Sequence, residues 1–229
     1  MRVYVIPSVA SHFGGREIQN MFRLLGHTVL DQPKTAEVLV FTGGSDVHPS
    51  LYGEAEFPHC HYSIERDIRE RTWFNLGRNN DLKMIGICRG AQFLNVMSGG
   101  RLWHDVDNHG RSHEIVDISS GKRYQNIIST HHQMMIPAPT GEVLATAKVA
   151  NNKKRPGFEW NRGTIPNVSF MTKGADGQPD PTVMDIEAVW YEDTQCLCYQ
   201  PHPEYGHTGA TRDYFVELLN RFIIKKEAA

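Results

Sequence analysis

The sequence lacks any apolar run long enough to cross a membrane. Runs such as residues 38–41 and 82–87 fall far short of the roughly 20 residues that a membrane-spanning helix needs. Positive charge is not in excess either, because 24 Lys and Arg against 26 Asp and Glu give a net charge of −2 with histidine neutral. Such a chain has no electrostatic basis for holding nucleic acid or an anionic membrane surface. We therefore expect a soluble protein with neither kind of partner.

Cysteine is also scarce. The four cysteines, at positions 60, 88, 196 and 198, are too few for a disulfide scaffold, and their spacing matches no zinc-ribbon pattern. The first residues lack a long apolar segment and a small-residue cleavage site, so they predict a first strand and not a signal peptide. We expect a cytoplasmic protein in which each cysteine is judged by its surroundings.

What is present is the composition of a folded globule, with 40% hydrophobic and 22% charged residues in a chain of 229. Strand-like and helix-like segments alternate over the first ninety residues, the pattern of a parallel sheet covered by helices. Short strands predicted at 114–118, 124–128 and 142–147 have a more antiparallel character. We predict one α/β domain over residues 1–229, a three-layer sandwich with a mostly parallel central sheet.

Three further segments are predicted from local patterns. Ser63 can cap a helix that runs through Phe74, with Ile64, Ile68 and Arg71 marking its face. Residues 151–182 are rich in Gly, Pro, Asn and Lys and are interpreted as a surface insertion, because a loop of that length is usually functional or mobile. The last helix has a large apolar face that we expect in the core, formed by Tyr214, Phe215, Leu218, Leu219, Phe222 and Ile223.

The segment Gly86-Ile87-Cys88-Arg89-Gly90 has the form of a nucleophile elbow between a strand and a helix. Small neighbours permit the sharp turn, which lifts the nucleophile above the sheet edge while the next backbone N–H faces a developing oxyanion. The helix N-terminus also favours a thiolate. The alternative is that Cys88 is a small buried hydrophobe, but the two flanking glycines favour a nucleophile.

His202 is the candidate base among 12 histidines. It follows an apolar strand, and Glu204 lies two residues later, on the same side of an extended chain. Glu204 can then hold one ring nitrogen while the other faces Cys88; the alternative is an exposed loop histidine beside an unrelated glutamate. The pair Gly43-Gly44 also follows a strand and can bring a backbone N–H to the same crevice, although such a pair is most often only a turn.

The other histidines and cysteines receive structural interpretations. His59, Cys60 and His61 form one short cluster without a matching second pair of ligands, which is a weak metal signal. His104, His109 and His113 lie in a polar stretch and are interpreted as loop residues. Cys196 and Cys198 share a strand face and are expected in the core, not as a redox pair.

Taken in order, these motifs resemble the class I glutamine amidotransferase superfamily. Within it, the chain most resembles the gamma-glutamyl-gamma-aminobutyrate hydrolases of the peptidase C26 branch, over residues 36–135 and 184–223. The resemblance rests on Gly43-Gly44 with Asp46 and Pro49, on Glu65-Arg66-Asp67, on the run from Gly86 to Gln92 with Asn95 and Gly99-Gly100, on His131-His132-Gln133, and on the run from Gln200 to Glu204.

The resemblance implies a flavodoxin-like fold and a reaction at a gamma-glutamyl amide. Cys88 would attack the carbonyl to form a thioester, His202 would act as base and then acid, and Glu204 would orient it. No metal or organic cofactor is implied. The remaining implied roles are an oxyanion hole from the backbone N–H groups of Gly44 and Arg89, and a glutamyl pocket lined by Gln92, His131, His132 and Gln133.

Two departures from the resemblance leave the amine half of the substrate open. Leu102-Trp103-His104-Asp105 stands where these hydrolases usually have Leu-Tyr-Gln-Asp, and residues 151–182 have no recognised counterpart. The leading hypothesis is a stand-alone cysteine hydrolase of small gamma-glutamyl compounds. The alternatives are a glutaminase subunit that delivers ammonia from glutamine to a separate synthetase chain, and a non-catalytic regulatory relative.

Overall fold

A nine-stranded sheet forms the centre of the computed structural model, which describes residues 1–7, 12–58, 60–164, 173–174, 177–205 and 209–224. The helices are α1 (His12–Leu24), α2 (Ile64–Asn79), α3 (Arg89–Met97) and α4 (Ala210–Leu218). The strands are β1 (Arg2–Val5), β2 (Thr28–Val29), β3 (Val38–Phe41), β4 (Lys83–Ile87), β5 (Arg101–Trp103), β6 (Asp105–Val106), β7 (His113–Asp117), β8 (Arg123–Ile127), β9 (Met134–Ile136), β10 (Glu142–Ala147), β11 (Asn152–Arg155), β12 (Phe158–Asn161), β13 (Asp185–Tyr191) and β14 (Cys196–Tyr199).

The sheet has the order β2-β1-β3-β4-β14-β13-β10-β7-β8. Its first five strands pair in parallel, and β13, β10, β7 and β8 continue it with antiparallel pairing. All four residues of β3 are buried, as expected for a parallel strand covered on both faces. Leu39 and Phe41 face a core that includes residues of α2 and α3, whereas Val38 and Val40 face one that includes residues of α1 and α4. The predicted α/β fold with a mostly parallel central sheet is confirmed.

Helix α2 confirms one prediction and corrects another. The Ser63 side chain accepts a hydrogen bond from Arg66 N at 3.4 Å, as predicted for a cap. The predicted face is wrong, since Ile64 and Ile68 are 54% and 65% exposed. The helix instead buries Arg66, Asp67, Glu70, Phe74 and Gly77. Apolar spacing failed here because the buried charges are neutralised by partners, which a hydrophobic pattern does not register.

Residues 151–182 are not one long loop. β11 and β12 form a hairpin around Pro156-Gly157 and join β6 in a three-stranded sheet, and Gly157 supplies the positive φ, +72°, that a two-residue turn needs. Lys153 and Trp160 of this hairpin are buried. The loop interpretation is therefore wrong for 152–161, while residues 165–172 and 175–176 lie outside the described residues.

The C-terminal helix packs as expected. Tyr214, Phe215 and Leu218 of α4 are buried, as are Leu219 and Ile223 in the π-helical turn that continues it. Phe222 is partly buried, with its ring 5.3 Å from that of Trp190. The two lysines that follow this segment in the sequence, at positions 225 and 226, lie outside the described residues. Among the residues described, no helix combines the length and hydropathy that a membrane span requires.

Candidate active site

Cys88 occupies a sharp turn between β4 and α3. Its backbone has φ 52° and ψ −111°, a region that a non-glycine residue adopts only at a cost of order 1–3 kcal/mol and that is most common at functional sites. A Cβ on Gly86 would lie 2.4 Å from the carbonyl oxygen of Gly90, and one on Gly90 would lie 2.2 Å from that of Phe41. Both flanking glycines are therefore required by this turn.

His202 and Glu204 lie just beyond β14, the parallel neighbour of β4. Parallel strands end at one edge of a sheet, so this pairing brings the histidine to the edge that carries Cys88. His202 Nδ1 lies 2.8 Å from Glu204 Oε1, and both residues are buried. An ideal Cβ on Gly43 would lie 3.2 Å from His202 Cε1 and 3.7 Å from Cys88 Cβ. The imidazole and the cysteine therefore flank the same glycine.

The electrostatics of His202 depend on both of its neighbours. Burial lowers the pKa of His202, but the charge and hydrogen bond of the Cys88 sulfur, together with the bond to Glu204, outweigh burial and raise the pKa to about 11. Nε2 has no oxygen or nitrogen partner among the described residues. The Tyr205 ring stacks on the imidazole at 4.4 Å. The ring is thus held in place and keeps a proton beside the sulfur at neutral pH.

The loop that contains Gly44 is held by two buried guanidinium groups. Arg66 Nη2 donates to the Thr42 carbonyl oxygen at 2.8 Å, and Arg89 Nε donates to that of Ser45 at 3.0 Å. Gly44 has φ +136°, and a Cβ there would lie 2.2 Å from Arg66 Nη1. The Arg89 amide, in the first turn of α3, has no helical carbonyl to bond. These are the two amides predicted to form the oxyanion hole.

We call Arg66, Asp67, Glu70 and Arg89 the guanidinium cluster. Glu70 accepts from Arg66 Nε at 2.7 Å and also from Arg89 Nη1, while Asp67 accepts from Arg89 Nη2. All four side chains are buried. Two arginines and two carboxylates balance in charge, which is what allows ions to lie in a core. The motif Glu65-Arg66-Asp67 contributed to the family resemblance, but nothing in the sequence assigned it this role.

The predicted glutamyl-pocket residues divide into two groups. Gln92 Nε2 donates to Gln133 O at 2.9 Å and lies 3.3 Å from Gln200 Oε1, so the Gln92 side chain is fixed one helical turn beyond Cys88. His132 reaches Asp46 with a 3.0 Å contact, and its side chain is 45% exposed. The hydrogen bond to Asp46 is the main reason that the pKa of His132 is raised.

The His131 ring faces the interior, unlike that of His132, whose side chain is 45% exposed. His131 is buried, and its ring centroid lies 4.6 Å from that of His109. Three residues at this site had no role assigned from sequence: Asp46, Cys60, whose sulfur lies 3.4 Å from Gln133 Nε2, and Gln200. Asp46 and Gln200 lay within the motifs, whereas Cys60 had only the weak metal pattern. His59 lies outside the described residues.

The α/β fold is of the class I glutamine amidotransferase type. The family model for Peptidase C26 matches residues 26–156, more than half of the sequence, and the chain belongs to that family of cysteine-type amidotransferases and hydrolases.

Individual relatives agree with this assignment. The glutamine amidotransferase-like protein YvdE of Lactococcus lactis is 35% identical over 127 residues, which cover 49% of this chain and 51% of YvdE. NtpR of Enterococcus hirae is 24% identical over 196 residues, 80% of this chain and 76% of NtpR. The match thus spans about half the length of YvdE, and most of NtpR.

Solved structures support the fold. A glutamine amidotransferase from Thermotoga maritima superposes with a TM-score of 0.53 at 14% identity, covering 96% of this chain and 82% of its own. A Thermoplasma acidophilum protein described as a GMP synthase subunit has a TM-score of 0.59 at 12% identity, with 96% and 92% covered. At these identities the likeness concerns the fold alone.

Proposed function

We propose that this chain is a stand-alone cysteine hydrolase that cleaves the C–N bond of gamma-glutamyl amides through a glutamyl-thioester intermediate. The single observation with most weight is the pairing of Cys88, in its strained turn, with His202 across Gly43, and of His202 with Glu204 at 2.8 Å. Nucleophile, base and orienting carboxylate then have the relationship that defines a catalytic triad.

In this mechanism the Cys88 sulfur attacks the amide carbonyl carbon, and the carbonyl electrons move to the oxygen. The backbone N–H groups of Gly44 and Arg89 donate hydrogen bonds to that oxyanion. His202, which holds a proton, donates it to the departing nitrogen as the C–N bond breaks, and the acyl group remains on sulfur. A water molecule then attacks the thioester, giving a proton to His202, and the C–S bond breaks to release the glutamyl carboxylate.

The glutamyl group would bind beside the first turns of α3. Gln92 is fixed by the hydrogen bond that its side chain donates to the backbone carbonyl oxygen of Gln133, and His132 is the most exposed of the predicted pocket residues, paired with Asp46. An imidazole beside a carboxylate offers complementary charges to the α-carboxylate and α-amino groups that every gamma-glutamyl compound carries. We therefore propose that His132 and Asp46 recognise this end of the substrate.

A second candidate is a glutaminase subunit that passes ammonia to a separate synthetase chain. The fold similarity to a protein described as a GMP synthase subunit favours it, as does the relationship to glutamine amidotransferase-like proteins. A non-catalytic regulatory role has no such support, and the buried Cys88, His202 and Glu204 count against it.

The deciding experiment measures release of ammonia or amine from glutamine and from a panel of gamma-glutamyl amines and peptides. We expect turnover of at least one compound by the chain alone, lowered by about 10⁴-fold or more in Cys88→Ala. Cys196→Ala removes a different buried thiol, on β14, and is the matched control that should keep the activity. Equal turnover by Cys88→Ala would overturn the mechanism, and activity that appears only with a partner chain would favour the second candidate.

A further inference from the structure

Five buried polar side chains lie close together beside the segment 131–133. We call them the histidine cluster: His109, His113, His131, Asp185 and Glu187. One ligand atom each from His109, His131 and Glu187 lies within 4.8 Å of the other two. The three residues are 0%, 6% and 0% exposed. We propose that His109, His131 and Glu187 bind a divalent transition-metal cation such as Zn²⁺, at a site separate from the triad.

The first support is that two of these side chains each have an atom with no hydrogen-bond partner among the described residues. His131 Nε2 and Glu187 Oε2 are both buried without one. A buried polar atom left unpaired costs about 1–3 kcal/mol, so two such atoms in one cluster indicate a missing partner. Two imidazoles and a carboxylate form a donor set typical of a transition-metal site.

The second support is how the other ring nitrogens are held. His131 Nδ1 donates to the Gln133 carbonyl oxygen at 2.8 Å, which leaves Nε2 with a free lone pair. His109 Nε2 lies 3.2 Å from Asp185 Oδ2. Metal-binding histidines usually have their second nitrogen held in this way by a carbonyl or a carboxylate.

Distances inside the cluster suit a small cation. His109 Nδ1 lies 3.3 Å from Glu187 Oε1, close to the separation of two tetrahedral ligands whose bonds to Zn²⁺ are about 2.0–2.1 Å. Asp185 is not counted among the ligands, because its charge is already balanced by Lys153, with Nζ at 2.9 Å. His113 Nε2 lies 3.1 Å from the same oxygen, Glu187 Oε1, whereas Glu187 Oε2 has no hydrogen-bond partner among the described residues.

The position of the cluster gives the cation a structural role. His109 follows β6, His131 lies before β9 and Glu187 is on β13, so one ion would tie three segments together. Gln133 O, which accepts from His131, also accepts from Gln92 of α3 at 2.9 Å. The site would therefore brace the wall of the proposed glutamyl pocket. The sequence implied no metal because these ligands are far apart in the chain and form no local motif.

Zinc binding by the whole 229-residue chain tests this inference. Cys88→Ser is the parent for all measurements, because the Cys88 thiol beside His202 could itself bind Zn²⁺. After treatment with a chelator, the parent is titrated with ZnCl₂ and bound metal is counted by mass spectrometry; we expect one equivalent. His131→Asn and Glu187→Gln should each weaken binding at least tenfold, whereas His132→Asn, the same change at the next position, should leave it unaltered.

A second measurement covers the case in which those two variants fail to fold. Co²⁺ in place of Zn²⁺ should give the parent the visible absorption of a low-symmetry nitrogen and oxygen site, and X-ray absorption should show two imidazole ligands. Failure of the parent to bind Zn²⁺ stoichiometrically would overturn the proposal, as would equal affinity in His131→Asn and Glu187→Gln. None of these readouts requires catalysis, so their failure would leave the proposed function untouched.

Discussion

The guanidinium cluster and the histidine cluster are both buried, yet they differ in how their charge is fixed. The first contains two arginines, which stay protonated at every accessible pH, and two carboxylates that neutralise them. The second contains three histidines, and imidazole is the side chain that most readily exchanges a proton or a metal cation. Fixed ions suit a loop that must keep one geometry, whereas imidazoles suit a site that gains and loses a proton or a cation.

Each cluster reaches the candidate active site by hydrogen bonds to backbone carbonyls. Arg66 and Arg89 hold the carbonyls of Thr42 and Ser45, on either side of Gly43-Gly44. The histidine cluster reaches the site through Gln133 O. The guanidinium cluster therefore controls the proposed oxyanion loop, and the histidine cluster controls the proposed pocket wall.

The largest effect is expected from Glu70→Gln. This change removes the carboxylate that both arginines share and leaves the cluster with a net positive charge. Removing one partner of a buried ion pair costs about 3–5 kcal/mol, to be measured by urea unfolding. We also expect kcat to fall about tenfold or more as the loop shifts, because one oxyanion donor is worth about 10²–10³-fold.

Glu65→Gln, on the exposed side of the same helix, is the control for that variant. We expect it to change stability by less than about 0.5 kcal/mol. If Glu70→Gln unfolded at the same urea concentration as Glu65→Gln, the guanidinium cluster would not hold the loop through its buried ion pairs.

A smaller loss is expected from Lys153→Met, which acts on the histidine cluster. Lys153 Nζ is buried and pairs with Asp185 at 2.9 Å. Asp185 would keep two backbone partners, the amides of Val149 and Ala150 at 2.6 and 2.9 Å. We therefore expect Lys153→Met to lower the free energy of unfolding by about 2–3 kcal/mol. This loss is smaller than that for Glu70→Gln and is again measured by urea unfolding.

Lys154→Met is the matched comparison, since Lys154 is the next residue of β11 and its side chain is 41% exposed, paired with Glu159. An exposed pair of this kind contributes about 0–1 kcal/mol. Equal destabilisation by the two variants would mean that Lys153 stabilises the hairpin by packing alone and does not serve the histidine cluster.

Much of the candidate site could be predicted from the sequence because its signals are local. The glycines that flank Cys88 indicate a turn with no room for side chains on either side. The two-residue spacing of His202 and Glu204 indicates that both side chains lie on one side of an extended chain. The short apolar run at 82–87 also corresponds to β4. Each of these patterns is determined by backbone geometry over a few residues, and none requires a distant contact to be known.

The two clusters could not be predicted in this way because their partners are distant in the chain. Arg89 meets Asp67 and Glu70 from another helix, so the polar face of α2 looked like the solvent side. His109 was interpreted as a loop residue, whereas Asp185 and Glu187 of β13 enclose it. The hairpin at 152–161 was missed for a related reason, since the partners of its buried Lys153, the Asp185 carboxylate and the Met184 carbonyl oxygen, are about thirty residues away in the chain.

The smallest predicted effect distinguishes the clusters by pH. Burial lowers the pKa of His113, but the charge and hydrogen bond of Glu187 outweigh burial, and the pKa is raised. Because the pKa of His113 is higher in the folded protein than in the unfolded chain, the protonated imidazole stabilises the fold. This stabilisation is fully present below the unfolded pKa of about 6.5 and is lost as the pH rises through the folded-state pKa. With EDTA present to exclude cations, His113→Gln should therefore destabilise the protein more at about pH 5.5 than at about pH 9.

His27 provides the opposite case. Burial and, to a lesser degree, the N-terminal charge lower its pKa, so its contribution is present above about pH 6.5 and is lost as pH falls. The pH dependence of the loss in His27→Gln should thus have the reverse sign to that of His113→Gln in the same urea titrations. If the loss in His113→Gln did not decrease from about pH 5.5 to about pH 9, Glu187 would not hold a protonated His113.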